Sequence, residues 1–289
     1  MINTTKSSKT VLLTGGGGTP IPALIKSLRE QGYRVLVVDM DPYASGLFLA
    51  DKGIVIPPAK DSHFADTLKK ICREEHVNIL VPLVDEELLI CSQLEGDNLI
   101  VITPRSSFIE ICLDKLKLAQ TLVQVGIAVP ETRLVSDGWE KIVYPQIIKP
   151  RTGRGSRGVQ VVYSSSEIDL YLKDTPYKPE ELLLQEYIDG TEFTTSVVVW
   201  RDGEIQAVVP KEIINKKGVT RLAVTRKNPQ IDQLCRTIQE KLKADGPFNV
   251  QLRLSPKDGT PLPFEINPRF STTITQTMAA GVDELGGVI

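Results

Sequence analysis

The sequence predicts an α/β protein whose second half turns α+β, and three observations carry that expectation. Apolar strand-like runs alternate with amphipathic helical stretches from Thr10 to about Thr103. A glycine-rich loop, RTGRGSRG, separates two short strand-like segments in the middle of the chain. Near the end, FNVQLRLS and PLPFEIN flank the turn-rich connector PKDGT, the pattern of a β-hairpin.

The first run, TVLLTGG, reads as a strand, IPALIKSLREQGY as a helix, RVLVVDM as a strand, FADTLKKICREEHV as a helix, and NILVPLV and LIVIT as strands. Such alternation implies a parallel sheet with crossover helices. TGGGG ends the first strand and Asp39 the second, as in a dinucleotide-binding unit, but the glycine fingerprint read from Gly15 meets Pro20 where its third glycine belongs. Asp39 is left open between a ribose ligand and a turn residue.

Helix signals resume at Asp114 to Val125 and stop at Gly126, with Pro130 soon after. YPQIIKP and VQVVY read as strands around the glycine loop. No Walker motif is present, since Val159 follows Gly158. The loop suits phosphate, because glycines let backbone N–H groups approach the oxygens while Arg151, Arg154 and Arg157 add charge. It suits a flexible hairpin tip equally. A helix ending near Lys173, strands in ELLLQEY, TTSVVVW and EIQAVVP, and the helix IDQLCRTIQEKLKA lead to the final hairpin. No internal repeat is present, and the last residues, MAAGVDELGGVI, show no clear helix terminus, so a further C-terminal extension is expected.

Composition narrows the function classes. At 289 residues, with 41% hydrophobic and 24% charged side chains, the chain is an ordinary globular sequence long enough for two or three packed units. Lys plus Arg (34) nearly balances Asp plus Glu (36), which gives no electrostatic reason to expect nucleic acid or a membrane as partner. The start, MINTTKSSKT, is polar, the VLLT after it is too short for a signal-peptide core, and no apolar run approaches a membrane span. Cys72, Cys91, Cys112 and Cys235 are scattered without a CxxC pair, so neither a zinc site nor a disulfide framework is expected and a reducing cytoplasm is the expected location. His63 and His76 sit in polar helical sequence and read as surface residues, so a histidine-based triad is not expected.

The hairpin carries the chemistry. If Ser255 pairs with Pro261, Gln251 lies opposite Glu265, with Cβ atoms roughly 4.5 to 5.5 Å apart. Strand alternation sends Phe264 and Ile266 to one side and Glu265 and Asn267 to the other. Gln251, Glu265 and Asn267 then offer three oxygen donors on one patch, with Arg269 just beyond Pro268. A plain water-facing sheet would show the same polarity.

Taken in order, KP before the glycine loop, QEYIDGTEF, and NVQ with FEINPR resemble the ATP-grasp superfamily from about Thr10 to Ala280, and within it the synthetase domains of the carbamoyl phosphate synthetase large chain and ATP-dependent carboxylate–amine ligases. The resemblance implies a Rossmann-like preATP-grasp domain over 1–105 and an ATP-grasp domain over 106–289, with a small glycine-loop lid subdomain at about 127–185 and a C-terminal subdomain at about 186–289. It implies Gln251, Glu265 and Asn267 as metal ligands, and Lys115 and Lys149 on the ATP phosphates. Gly153, Gly155, Ser156 and Gly158 would close over them. Gln185 would meet the adenine amine, where many relatives carry Glu, while the backbone of Glu186 and Ile188 reads the ring edge. Glu192 would accept the ribose hydroxyls, and Arg269 with Lys149 would act at the transferring phosphoryl group. Asp85, Glu86, Lys211, Arg221 and Arg253 are candidate substrate contacts, Arg253 because it shares the face of Gln251, although it also reads as a surface residue.

The implied cofactors are ATP and Mg2+, with Mn2+ able to substitute. The implied partners are a small carboxylate and an amine, without nucleic acid or membrane, and with homodimerisation as an expectation. The implied reaction activates a carboxylate as an acyl phosphate, releasing ADP and phosphate. The alternatives are a carbamoyl phosphate synthetase-like reaction on bicarbonate or carbamate, an NAD-dependent oxidoreductase built on TGGGG and Asp39, and a nucleotide-binding protein without turnover.

Overall fold

The computed structural model describes residues 9–286 and 288; the polar start from Met1 to Ser8 lies outside the described residues. The chain forms two compact units, one of residues 1–106 with 272–289 and one of residues 107–271. The domain reading from the sequence instead carried the second domain to residue 289.

The first unit begins with β1 (Thr10–Thr14), α1 (Ile21–Glu30), β2 (Arg34–Asp39), α2 (Ser45–Leu49), β3 (Lys52–Val55), α3 (Phe64–Glu74), β4 (Ile79–Val81), α4 (Leu88–Ser92) and β5 (Ile100–Val101). The strands form one parallel sheet in the order β3-β2-β1-β4-β5, as the alternation of strands and helices predicts. β1 and the middle of β2 are buried throughout because a parallel sheet with crossover helices is covered on its faces. Leu12, Leu36, Phe64, Leu68 and Leu80 share one of its cores. α2, β3 and α4 had no expected counterpart: β3 is a mostly exposed edge strand, so no apolar run announces it.

Asp39 braces the glycine turn after β1. One carboxylate oxygen accepts from Gly17 N at 2.9 Å and the other from Asp41 N at 2.8 Å. Of the two roles left open for Asp39, these hydrogen bonds support the turn residue.

The second unit contains α5 (Ser106–Leu113), α6 (Lys115–Gln124), β6 (Thr132–Leu134), β7 (Gln146–Pro150), β8 (Gln160–Val162), α7 (Ser165–Asp174), β9 (Leu182–Glu186), β10 (Glu192–Val199), β11 (Ile205–Lys217), β12 (Val219–Thr225), α8 (Pro229–Leu242), β13 (Phe248–Leu254) and β14 (Pro261–Asn267). It holds two antiparallel sheets, β6-β9-β7-β8 and β12-β11-β10-β13-β14. α6 starts cleanly because the Asp114 side chain accepts from Leu116 N and Lys117 N, each at 3.1 Å. α8 buries Ile231, Cys235 and Ile238 against Val197, Val250 and Ile266 of the larger sheet, joined by Leu118 and Leu122 of α6. β11 runs well past the expected EIQAVVP, and β12 was not expected: its side chains are mostly exposed, so no buried face marks the strand period.

Back in the first unit, α9 (Ile274–Ala279) corrects the expectation that the tail has no helix terminus. Gly281, at φ 88, closes the helix in the left-handed conformation, with Val282 N donating to Thr277 O at 3.2 Å.

The hairpin register is partly as expected. Gln251 lies opposite Glu265, Val250 opposite Ile266 and Asn249 opposite Asn267, but Pro261 pairs with Leu254 and not with Ser255. The shift falls between Gln251 and Leu252, where Phe264 is the extra residue of a β-bulge. The bulge also corrects the expected sidedness of Phe264. Ile266 joins the apolar core, whereas the Phe264 ring lies on the other side, with the Lys149 ammonium 5.5 Å from its centroid.

Candidate functional site

β10, β11, β13 and β14 build a polar face out of alternate residues. Register places Lys211 beside Thr194, Thr194 beside Gln251, and Gln251 beside Glu265, one row across four strands. The next row holds Ser196, Asn249 and Asn267. Asn249 was missed in the sequence although it lies two residues before Gln251; its side-chain oxygen accepts from the Thr194 hydroxyl at 2.9 Å. Gln251, Glu265 and Asn267 supply one carboxylate and two amides. That donor set fits a magnesium ion, which takes hard oxygens, commonly with one or two carboxylates, and keeps room for phosphate and water.

Lys149 reaches this neighbourhood from β7. Its ammonium donates to Gln185 Oε1 at 2.7 Å and to the Phe264 carbonyl at 3.5 Å. Burial pulls its pKa down to about 8; Glu265 opposes the shift, and Lys115 and Lys216 reinforce it. Gln185 in turn donates from Nε2 to the Thr132 hydroxyl at 2.8 Å, and that hydroxyl donates to Pro130 O at 2.9 Å. Both ends of the Gln185 amide are therefore engaged inside the protein, orienting Lys149. Thr132 carried no signal in the sequence, since nothing there shows what stands opposite Gln185 across the sheet.

The glycine loop follows β7. Gly153, Gly155 and Gly158 have φ of 106, 70 and 67, and Ser156 has φ 57, so four residues of this short loop are left-handed. The Lys115 ammonium donates to Gly153 O at 2.7 Å, and Ser156 Oγ donates to Gly218 O at 3.1 Å. Arg151, grouped in the sequence with Arg154 and Arg157 as phosphate-facing charge, instead forks onto Asp114 with contacts of 2.6 to 3.0 Å. Burial works to raise the Asp114 pKa, but the hydrogen bonds from Arg151, Lys117 and Leu116 hold that carboxylate below the usual range.

At the hinge between β9 and β10, Glu186 N donates to Glu131 O at 2.8 Å. Arg253 reaches across to Ile188 O at 3.1 Å, Gly190 O at 3.3 Å and Glu192 Oε2 at 2.9 Å, and its guanidinium lies 5.2 Å from the Tyr187 ring centroid. The other Glu192 oxygen accepts from Lys216 at 2.6 Å. Arg253 thus ties the hinge together; neither the surface reading nor a direct substrate contact describes where its hydrogen bonds go. Lys216 went unnoticed because β11 was expected to stop short of it.

Arg269 is buried, donating to Phe270 O at 3.0 Å and toward Asn267 Oδ1 at 3.4 Å. Lys211 is fully buried and donates to Ser196 Oγ at 2.7 Å. Arg221 is exposed on the edge strand β12. Asp85 and Glu86 belong to the first unit, in the 3-10 turn after β4, with Asp85 buried and Glu86 exposed. The four cysteines are buried and free. Among the described residues no helix is long and apolar enough to cross a membrane.

Residues 178–286 match the family described as ATP-grasp in the biosynthetic pathway with Ter operon, and residues 11–99 match the PylC-like N-terminal domain. The chain is 21% identical over 281 residues to a carbamoyl-phosphate synthase of Methanobrevibacter smithii, covering 89% of this chain and 74% of that protein. A D-alanine–D-alanine ligase of Petrotoga mobilis is 30% identical over 169 residues, covering 50% of this chain and 56% of that one. The chain spans 49% to 56% of the next three curated relatives and about a quarter of the longer synthase chains. Among solved structures, the L-amino acid ligase of Bacillus licheniformis superposes with a TM-score of 0.72 at 18% identity, covering 94% of this chain and 70% of that one. A unit with a parallel sheet and a unit of two antiparallel sheets with a glycine loop and an oxygen-rich strand face, together with these matches, identify the ATP-grasp fold and a likeness to its carboxylate–amine ligase-like members.

Proposed function

We propose that the chain is an ATP-dependent ligase that activates a carboxylate as an acyl phosphate for capture by an amine or similar nucleophile. One observation carries the reading: Gln251 and Glu265 stand opposite each other on a polar sheet face that also holds Asn267, while the Lys149 ammonium comes to the Phe264 carbonyl of the same strand. Magnesium held by these oxygens would supply Lewis-acid neutralisation of the phosphoryl charge. Lys149 and Lys115 bind phosphate oxygens, and Arg269 steadies the transferring group. The glycine loop excludes water, and Glu192, aligned by Arg253 and Lys216, accepts the ribose hydroxyls. The carboxylate oxygen attacks the γ-phosphorus as the bond to the β-phosphate oxygen breaks; the amine then attacks the acyl carbon, loses a proton and displaces phosphate.

A second reading, a carbamoyl phosphate synthetase-like reaction on bicarbonate or carbamate, is supported by the similarity to the Methanobrevibacter smithii protein over most of the chain. The oxidoreductase reading finds less support, because Pro20 stands where the third glycine of its fingerprint belongs.

The test is an acid screen with magnesium-ATP and hydroxylamine as the capturing nucleophile. The expected result is hydroxamate formed in step with ADP for at least one organic acid. Activity with bicarbonate alone would select the second reading, and AMP as the nucleotide product would overturn both, since it requires attack at the α-phosphate.

A further inference from the structure

The glycine loop after β7 and the turn between β11 and β12 come from distant stretches of the chain, yet they meet. Ser156 Oγ donates to Gly218 O at 3.1 Å, and a Cβ added to Gly218 would lie 3.8 Å from Gly155 O, so the two segments lie side by side. Both tips carry cations only. Residues 151–158 contain three arginines and no acid, and residues 213–227 contain five lysines and arginines and no acid, in a chain whose formal net charge is −2.

Three of these cations make ion pairs: Arg151 with Asp114, Arg226 with Glu212, and Lys216 with Glu192, which also pairs with Arg253. Arg157, Lys217 and Arg221 remain exposed beside the junction. Lys216 also helps to depress the Lys149 pKa, so the end of β11 lies within electrostatic range of the proposed phosphate site. In that site a triphosphate would be met by Lys115, Lys149 and Arg269, and by magnesium if Gln251, Glu265 and Asn267 hold it. Arg157, Lys217 and Arg221 are additional to those proposed phosphate ligands.

We infer that the junction of the glycine loop with the β11–β12 turn is the binding site for a second anionic group on the acceptor acid, so that the substrate is a polyanion, a carboxylate that also bears a phosphate or further carboxylates. The inference rests on the ligase reading for the identity of the acid as acceptor, and it adds the chemical class of that acid. Exposed lysine and arginine are suited to the task, because charge-assisted hydrogen bonds to phosphate or carboxylate are about twice as strong as neutral ones and are weakened by salt.

The test titrates the full chain, with magnesium and a non-hydrolysable ATP analogue, with serine against O-phosphoserine, lactate against 3-phosphoglycerate and propionate against citrate, read by calorimetry. The polyanion of at least one pair should bind on the order of ten-fold more tightly than its monoanionic counterpart, and added salt should narrow the gap. Lys217→Gln with Arg221→Gln should remove most of that preference, and Lys217→Arg with Arg221→Lys should restore it. Equal affinities within every pair, or a preference that survives the neutral double variant, overturns the inference. ADP release measured on the same panel separates the two proposals. Polyanion preference without ADP from any acid removes the ligase reading and keeps the anion site, whereas ADP formed equally from both members of each pair does the reverse.

Discussion

Lys149→Met isolates the cost of holding a charge at the centre of the candidate site. The wild-type ammonium is almost wholly buried, and its pKa falls from an ordinary lysine value to about 8 chiefly because burial penalises the charged form. Between pH 8 and the ordinary value near 10.5, the unfolded chain holds a proton at this position that the folded chain has released. Stability therefore rises with pH across that window. At 1.36 kcal/mol per pKa unit, the full effect is about 3 kcal/mol. The variant also strands Gln185 Oε1, but that cost does not change with pH, so the informative quantity is how the stability difference between the two proteins varies. Denaturant melts at pH 7 and above pH 10 should show wild type gaining about 3 kcal/mol on Lys149→Met, other titrations being common to both. A stability difference independent of pH would refute the reasoning. Nucleotide binding should run the opposite way: phosphate selects the protonated amine, so wild-type affinity should fall as pH rises through about 8, and the variant should bind weakly without that inflection.

Glu265→Ala should abolish acid-dependent ADP release with the fold retained, as checked by circular dichroism, because it removes the carboxylate of the proposed metal patch; Gln251→Ala should be milder, and near wild-type turnover in Glu265→Ala across a magnesium titration would refute the assignment. Arg253→Gln should raise the KM for ATP more than it lowers kcat and should cost about 1 to 3 kcal/mol of stability, since it unties two hinge carbonyls, the Glu192 pair and the contact with the Tyr187 ring; thermal melting and steady-state kinetics check both. The backbone from Arg151 to Gly158 should gain hydrogen-exchange protection when magnesium-ATP is added, as a loop that excludes water would.

The elements that could be read from the sequence are those whose burial repeats with the period of their own backbone. α1, α3, α6 and α8 place apolar residues every third or fourth position, and β1, β2 and β4 are continuous apolar runs because both faces of their sheet are covered. β3 and β12 escaped because an edge strand with exposed side chains has no apolar rhythm. α5 was not read although Phe108, Ile109 and Cys112 are buried, since eight residues are too few to establish a helical period.

For the site, the amino-acid order alone determined the local chemistry: the glycines that admit left-handed backbone at the loop, the aspartate that caps α6, and a hairpin that carries Gln251, Glu265 and Asn267, whereas the bulge at Phe264 is what brings Gln251 opposite Glu265 from the observed Leu254–Pro261 pairing. Tertiary structure decided whatever depends on residues remote in the chain. The bulge that turns Phe264 toward Lys149 arises from how β14 pairs with β13, and neither strand shows it by itself. The partners of Gln185, Glu192 and Arg151 lie roughly 25 to 60 positions away, on other strands or at a helix start. Hydrogen bonds and ion pairs act over a few ångströms of space regardless of chain separation, so the sequence names the groups that can make them, while the packing of the sheets selects which ones meet.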